Sequence, residues 1–120
     1  MASLHLEDDR VVLCLTGAQA WMGLARQVSV LLADIRSVSV VPDGLALDLG
    51  WRVGGTGMPR RLAFGRFRKF RGGPRTFAAV YAGRPAVVIE TAGGDWDRVA
   101  AAVDDADGEA ARVRAAAGLR

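Results

Sequence analysis

One histidine, one cysteine and two short groups of acids are the residues of this 120-residue chain best suited to chemistry, and their spacing supports no catalytic or metal site. A Ser–His–acid arrangement would depend on His5, which lies near the terminus, and no serine sits in a strained-elbow motif. A lone His5 and a lone Cys14 cannot assemble a structural zinc site. Asp104, Asp105, Asp107 and Glu109 lack the ligand pattern and central glycine of a calcium loop, and they read instead as partners of a helix dipole. Glu7, Asp8 and Asp9 read as a solvated turn, with nothing to supply the cleft that acid–base catalysis needs. The run Gly54-Gly55-Thr56-Gly57 is not followed by Gly-Lys-Ser/Thr, so it is read as a tight turn and not as a phosphate loop. The expectation is a protein that is not an enzyme and uses no cofactor or metal.

What remains is charge. From Gly50 to Ile89 the chain carries Arg52, Arg60, Arg61, Arg66, Arg68, Lys69, Arg71, Arg75 and Arg84 with no Asp or Glu, although its net charge is only +3. The central third is therefore strongly cationic between two net acidic flanks. Arg60, Arg61, Arg66, Arg68, Lys69, Arg71 and Arg75 are the candidate contact residues. A guanidinium offers a planar fork that holds phosphate or carboxylate bidentately, so these residues together would attract an anion.

Such residues need a frame. The length suits one domain, spanning residues 1–120, able to bury a modest core unaided. A single cysteine excludes an intramolecular disulfide, and Val12, Leu13 and Leu15 around it suggest a reduced, buried thiol. No apolar run approaches the roughly 20 residues of a membrane span, and residues 1–9 lack the pattern of a secretory signal. The expected location is the cytoplasm.

Short apolar runs broken by Gly, Pro and Asp predict an antiparallel sheet protein. Arg10–Thr16, Gln27–Leu32, Ile35–Val41, Leu62–Lys69, Thr76–Tyr81 and Ala86–Glu90 read as strands, and Leu45, Leu47 and Leu49 as one face of a strand or extended arm. Thr76–Tyr81 and Ala86–Glu90, joined by Ala82-Gly83-Arg84-Pro85, form the clearest hairpin. Ala18–Ala25 reads as a short helix that buries Trp21. Trp96–Val103 is ambiguous, since its alanines favour helix while its place after Gly93-Gly94 suits a strand. Ala106–Ala117, capped by Asp104 or Asp105 and ended by Gly118, reads as a terminal helix.

The order of a strand, a short helix, Val28-Ser29-Val30 leading into Ile35-Arg36-Ser37-Val38, Gly55-Thr56-Gly57-Met58-Pro59, Thr76–Tyr81, Pro85–Ile89 and an acid-capped final helix resembles the small bacterial PH-like domain proteins common in actinobacteria. The resemblance covers nearly the whole chain. It implies a mainly β, strongly bent antiparallel sheet or partly open barrel of about seven strands, with a short internal helix and a C-terminal capping helix. It brings no catalytic residue and no lipid specificity, because eukaryotic PH domains place their basic loop between the first strands.

These readings converge on a binding or assembly module that meets an anionic lipid surface or an acidic protein through the Arg60–Arg75 segment, placing it peripherally at the inner membrane face. Nucleic acid is disfavoured, because single-strand recognition wants exposed aromatics and the core needs most of Phe64, Phe67 and Phe70. The alternative is a homo-oligomeric scaffold without a small ligand, in which the basic segment of one copy meets the acidic segment Asp95–Glu109 of another. A third reading is an Arg-rich strand that only keeps a sheet edge soluble.

Overall fold

The computed structural model describes residues 3–15, 27–44, 51–58, 62–68, 75–93 and 96–118, with 51–58, 62–64 and 68 described by backbone course alone. Among these residues the chain forms nine strands and one α-helix. The helix expected at Ala18–Ala25 and the apolar positions Leu45, Leu47 and Leu49 lie outside them.

β1 (Ser3–Leu6), β2 (Arg10–Cys14) and β3 (Gln27–Leu31) make one antiparallel sheet. Alternation decides its faces. Leu4, Val11, Leu13 and Val28 point into the main core, while Val12 and Cys14 lie on the opposite side. Cys14 is only half-buried there, more open than its apolar neighbours suggest. A single 3₁₀ turn, Leu32–Asp34, leads from β3 into β4 (Ile35–Val41).

The second sheet adds β5 (Trp51–Met58), β6 (Leu62–Arg68), β7 (Arg75–Tyr81), β8 (Ala86–Thr91) and β9 (Arg98–Ala102), in the order β4-β8-β9-β7-β6-β5. Neither sheet closes into a barrel, and the strands exceed the seven that the sequence suggests. Gly54–Gly57, expected as a turn, lies within β5, where Gly55 registers with Gly65 of β6 and the register shifts between Arg52 and Gly54. Gly65 has φ 126°, a conformation that favours glycine.

The expected hairpin of β7 and β8 does not form. Their connection turns through Gly83 at φ 70°, but β9 enters between the two strands, parallel to β7 and antiparallel to β8. Four linking residues easily reach across the intervening strand, a separation of about 10 Å. Direct pairing of Tyr81 with Ala86 would also set Ala79 beside Val88, whereas the structure buries Ala79 with Val87 on one face and Val88 with Ala78 on the other. Both faces are apolar, so alternation alone left the partner of each strand open.

The central position of β9 explains its alanines. Val99 and Ala101 pack under the first sheet and the helix, Ala100 faces the second cluster with Phe67, Ala78, Val80, Ala86 and Val88, and small side chains suit a strand buried on both faces. Burial thus overrides the helical preference of alanine.

α1 (Ala106–Ala116) lies against β4, β8 and β1 and buries Ala106, Ala110 and Val113. Asp105 is its N-cap, its carboxylate accepting the N–H of Gly108 at 3.1 Å. Asp107 and Glu109 favour the positive end of the helix dipole, and Gly118 at φ 75° follows its end.

Candidate anion-contacting surface

Of the proposed basic residues, β6 and β7 carry Arg66, Arg68 and Arg75. Arg68 registers with Arg75, and Arg66 registers with Phe77, which sets these three arginine positions at one end of the β6–β7 pair. Met58 registers with Leu62 at the opposite end of β6, about 20 Å away at the rise of a strand. Arg60, Arg61, Lys69 and Arg71 themselves lie outside the described residues, as does the Arg68 side chain.

Arg66 is exposed, with its guanidinium carbon 5.9 Å from the centre of the Trp96 ring. Trp96 meets Phe77 edge-on, with ring centres 5.4 Å apart, and so fixes the plane on which Arg66 rests. The backbone holds that indole in place: Thr91 Oγ1 donates to the carbonyl of Trp96, and the N–H of Thr91 donates to the carbonyl of Asp97 at 3.0 Å. No sequence signal marked Trp96 or Thr91, because their contacts arise only from the insertion of β9 beside β8 and β7.

Arg75 has another setting. Its Nε lies 3.4 Å from Asp97 Oδ2, and its backbone N–H donates to the same oxygen at 2.8 Å. The Arg75 side chain is 41 % exposed, and Asp97 offsets part of its charge. At the other end of β6, Arg84 lies with its guanidinium carbon 5.8 Å from the Tyr81 ring centre, and Tyr81 registers with Leu62.

No family model matches the chain, and neither a curated protein nor a solved structure matches it. The chemistry must therefore be read from the surface itself. Among the described residues, no group of three or more His, Cys, Asp and Glu gathers as a metal set, and no helix is long and apolar enough to cross a membrane.

Three of the acids expected to make an intermolecular contact are engaged within the chain. Asp97 holds Arg75, Asp105 caps α1, and Glu109 pairs with Arg112 one helical turn on.

Proposed function

We propose that this domain is a non-catalytic binding module that adsorbs to an anionic lipid surface through the Arg66, Arg68 and Arg75 end of β6–β7, joined by Lys69 and Arg71, which follow Arg68 in the chain. The observation that supports it is the register of Arg68 with Arg75, with Arg66 exposed two positions along the strand. Each cation near an anionic membrane contributes about 1 kcal/mol, so several on one surface suffice for reversible, salt-sensitive adsorption. Arg66 is the principal contact, resting on Trp96, and Arg75 contributes less because Asp97 holds it.

This reading takes from the PH-like resemblance only a mainly β architecture with a C-terminal helix, and places the module in the cytoplasm at the inner membrane face. An acidic protein offers the same carboxylate or phosphate chemistry and is the competing partner. Assembly of copies by basic and acidic patches is the weaker reading, because Asp97, Asp105 and Glu109 are engaged within the chain. Co-sedimentation with anionic and neutral vesicles at low and high salt tests the proposal. Binding to anionic vesicles alone, lost at high salt, supports it; absence of binding removes the lipid surface and leaves the acidic protein.

A further inference from the structure

The two sheets end in β1, β3, β4 and β5, and the described edges are unequally guarded. An edge strand displays a row of backbone donors and acceptors that can template another strand unless something blocks it. At β4, Arg114 Nη2 donates to the carbonyl of Val38 at 2.6 Å, placing a charged side chain on that edge. β1 has α1 packed beside it. Among the described residues β3 has neither device: Gln27-Val28-Ser29-Val30-Leu31 contains no charged residue and no proline, and Gln27 and Ser29 are exposed. Leu31 is 43 % exposed, one of the two large apolar side chains left so open among the described residues.

The hydrogen-bond ladder shows which backbone groups of β3 face outward. The carbonyl of Arg10 accepts from Glu7 N–H at 2.8 Å on the β1 side, and Leu32 N–H donates to Asp9 at 2.9 Å, continuing the β2–β3 ladder. Bonded pairs alternate in an antiparallel ladder, so Val11/Val30 and Leu13/Val28 are the bonded pairs between β2 and β3. Gln27, Ser29 and Leu31 then direct their N–H and C=O groups away from β2.

We propose that two copies of this chain join through β3, antiparallel about Ser29, so that each three-stranded sheet continues into the other. In that register Ser29 meets its own counterpart and Gln27 meets Leu31, and all of these residues carry outward-facing backbone groups, so every bonded pair is completed. Val28 meets Val30 at the closer, non-bonded positions, which extends the apolar face of Val11, Leu13 and Val28 without a break. No like charges oppose one another, because the strand has none. A second copy is the occupant that the strand's own sequence fits, since Val28-Ser29-Val30 reads the same about Ser29 in either direction and Gln27 and Leu31 both present outward-facing backbone groups. The symmetry is isologous and closes at two copies.

Mass by light scattering at increasing protein concentration, with amide exchange of Ser29 on the same samples, tests this. The expected result is a species of twice the 12.7 kDa chain mass, in which the Ser29 amide exchanges slowly. Ser29→Pro removes the central donor at a position where β2 does not need it, and Leu31→Lys brings a charge to the edge; each should give a folded monomer by far-UV circular dichroism. Should Ser29→Pro fail to fold, Leu31→Lys decides. A monomer at every concentration overturns the proposal and leaves the edge to a strand of another protein. A dimer that persists in folded Leu31→Lys, with Ser29 exchanging freely, overturns it equally.

Discussion

The N–H of Asp97 donates to the carbonyl of Arg75 at 2.9 Å, and the carboxylate of Asp97 accepts the N–H of Arg75 at 2.8 Å and its Nε at 3.4 Å. The start of β7 and the entry to β9 thus hold each other through backbone and side chain together, although 22 residues separate them. A carboxylate bonded to a backbone amide contributes more than a half-exposed ion pair does. Asp97→Ala should therefore cost about 1–3 kcal/mol in urea unfolding, with Asp97→Asn retaining part of that. Arg75→Ala should cost less than about 1 kcal/mol, because its N–H still reaches Asp97. Equal losses in Arg75→Ala and Asp97→Ala would contradict this division.

Gly44 tests the packing of the second apolar cluster. A Cβ there would lie 2.6 Å from Val80 Cβ and 3.3 Å from Ala86 Cβ, while the Gly44 N–H donates to the Arg84 carbonyl at 3.1 Å. Gly44→Ala should destabilise the protein by about 1–3 kcal/mol through overpacking. In a Val80→Gly background, which removes that Cβ, the same change should cost markedly less, read as a coupling in a double-mutant cycle by chemical denaturation.

Gly108 lies inside α1, where helix propensity alone predicts that alanine would gain about 1 kcal/mol. Its Cβ would stand 2.2 Å from Asp105 Oδ2, so the added methyl displaces the N-cap. The loss of a cap is also worth about 1 kcal/mol, which makes Gly108→Ala nearly neutral. In Asp105→Ala, which has no cap to lose, Gly108→Ala should recover the full propensity gain in thermal unfolding.

Asp9 titrates low because its carboxylate accepts a hydrogen bond from the Arg10 side chain, at 2.9 Å from Nε, with the positive charge of Arg10 adding to the effect. A depressed folded-state value means that the contribution of this pair is present above the ordinary aspartate range and is lost as pH falls through the lowered value. Carboxyl-detected NMR titration should place Asp9 below the usual aspartate range, and Arg10→Gln should return it toward that range. An unchanged Asp9 midpoint in that variant would exclude the pair as the cause.

The alternation of Ile35–Val41 and the cap and stop of Ala106–Ala116 were legible because each is local: period two in one, Asp105 and Gly118 flanking the other. The short strand Ser3–Leu6 was overlooked, although Leu4 and Leu6 alternate in it. β9 stays open between helix and strand in the sequence, because only burial on both faces makes a run of alanines a good strand. The separation of β7 from β8 escaped for the same reason, since strands apolar on both faces do not name their neighbour. At the candidate surface the basic run was plain in the sequence, but the pairing of Arg68 with Arg75 and the restraint of Arg75 by Asp97 depend on register and on a distant partner.

The binding role is tested most directly by reversing charge at Arg66, Arg68 and Arg71 to Glu and repeating vesicle co-sedimentation, with far-UV circular dichroism and mass by light scattering as controls. The account predicts that the wild-type chain sediments with anionic vesicles and not with neutral ones, and that the folded variant stays in the supernatant at low salt. A folded variant that sediments as well as the wild type would contradict it.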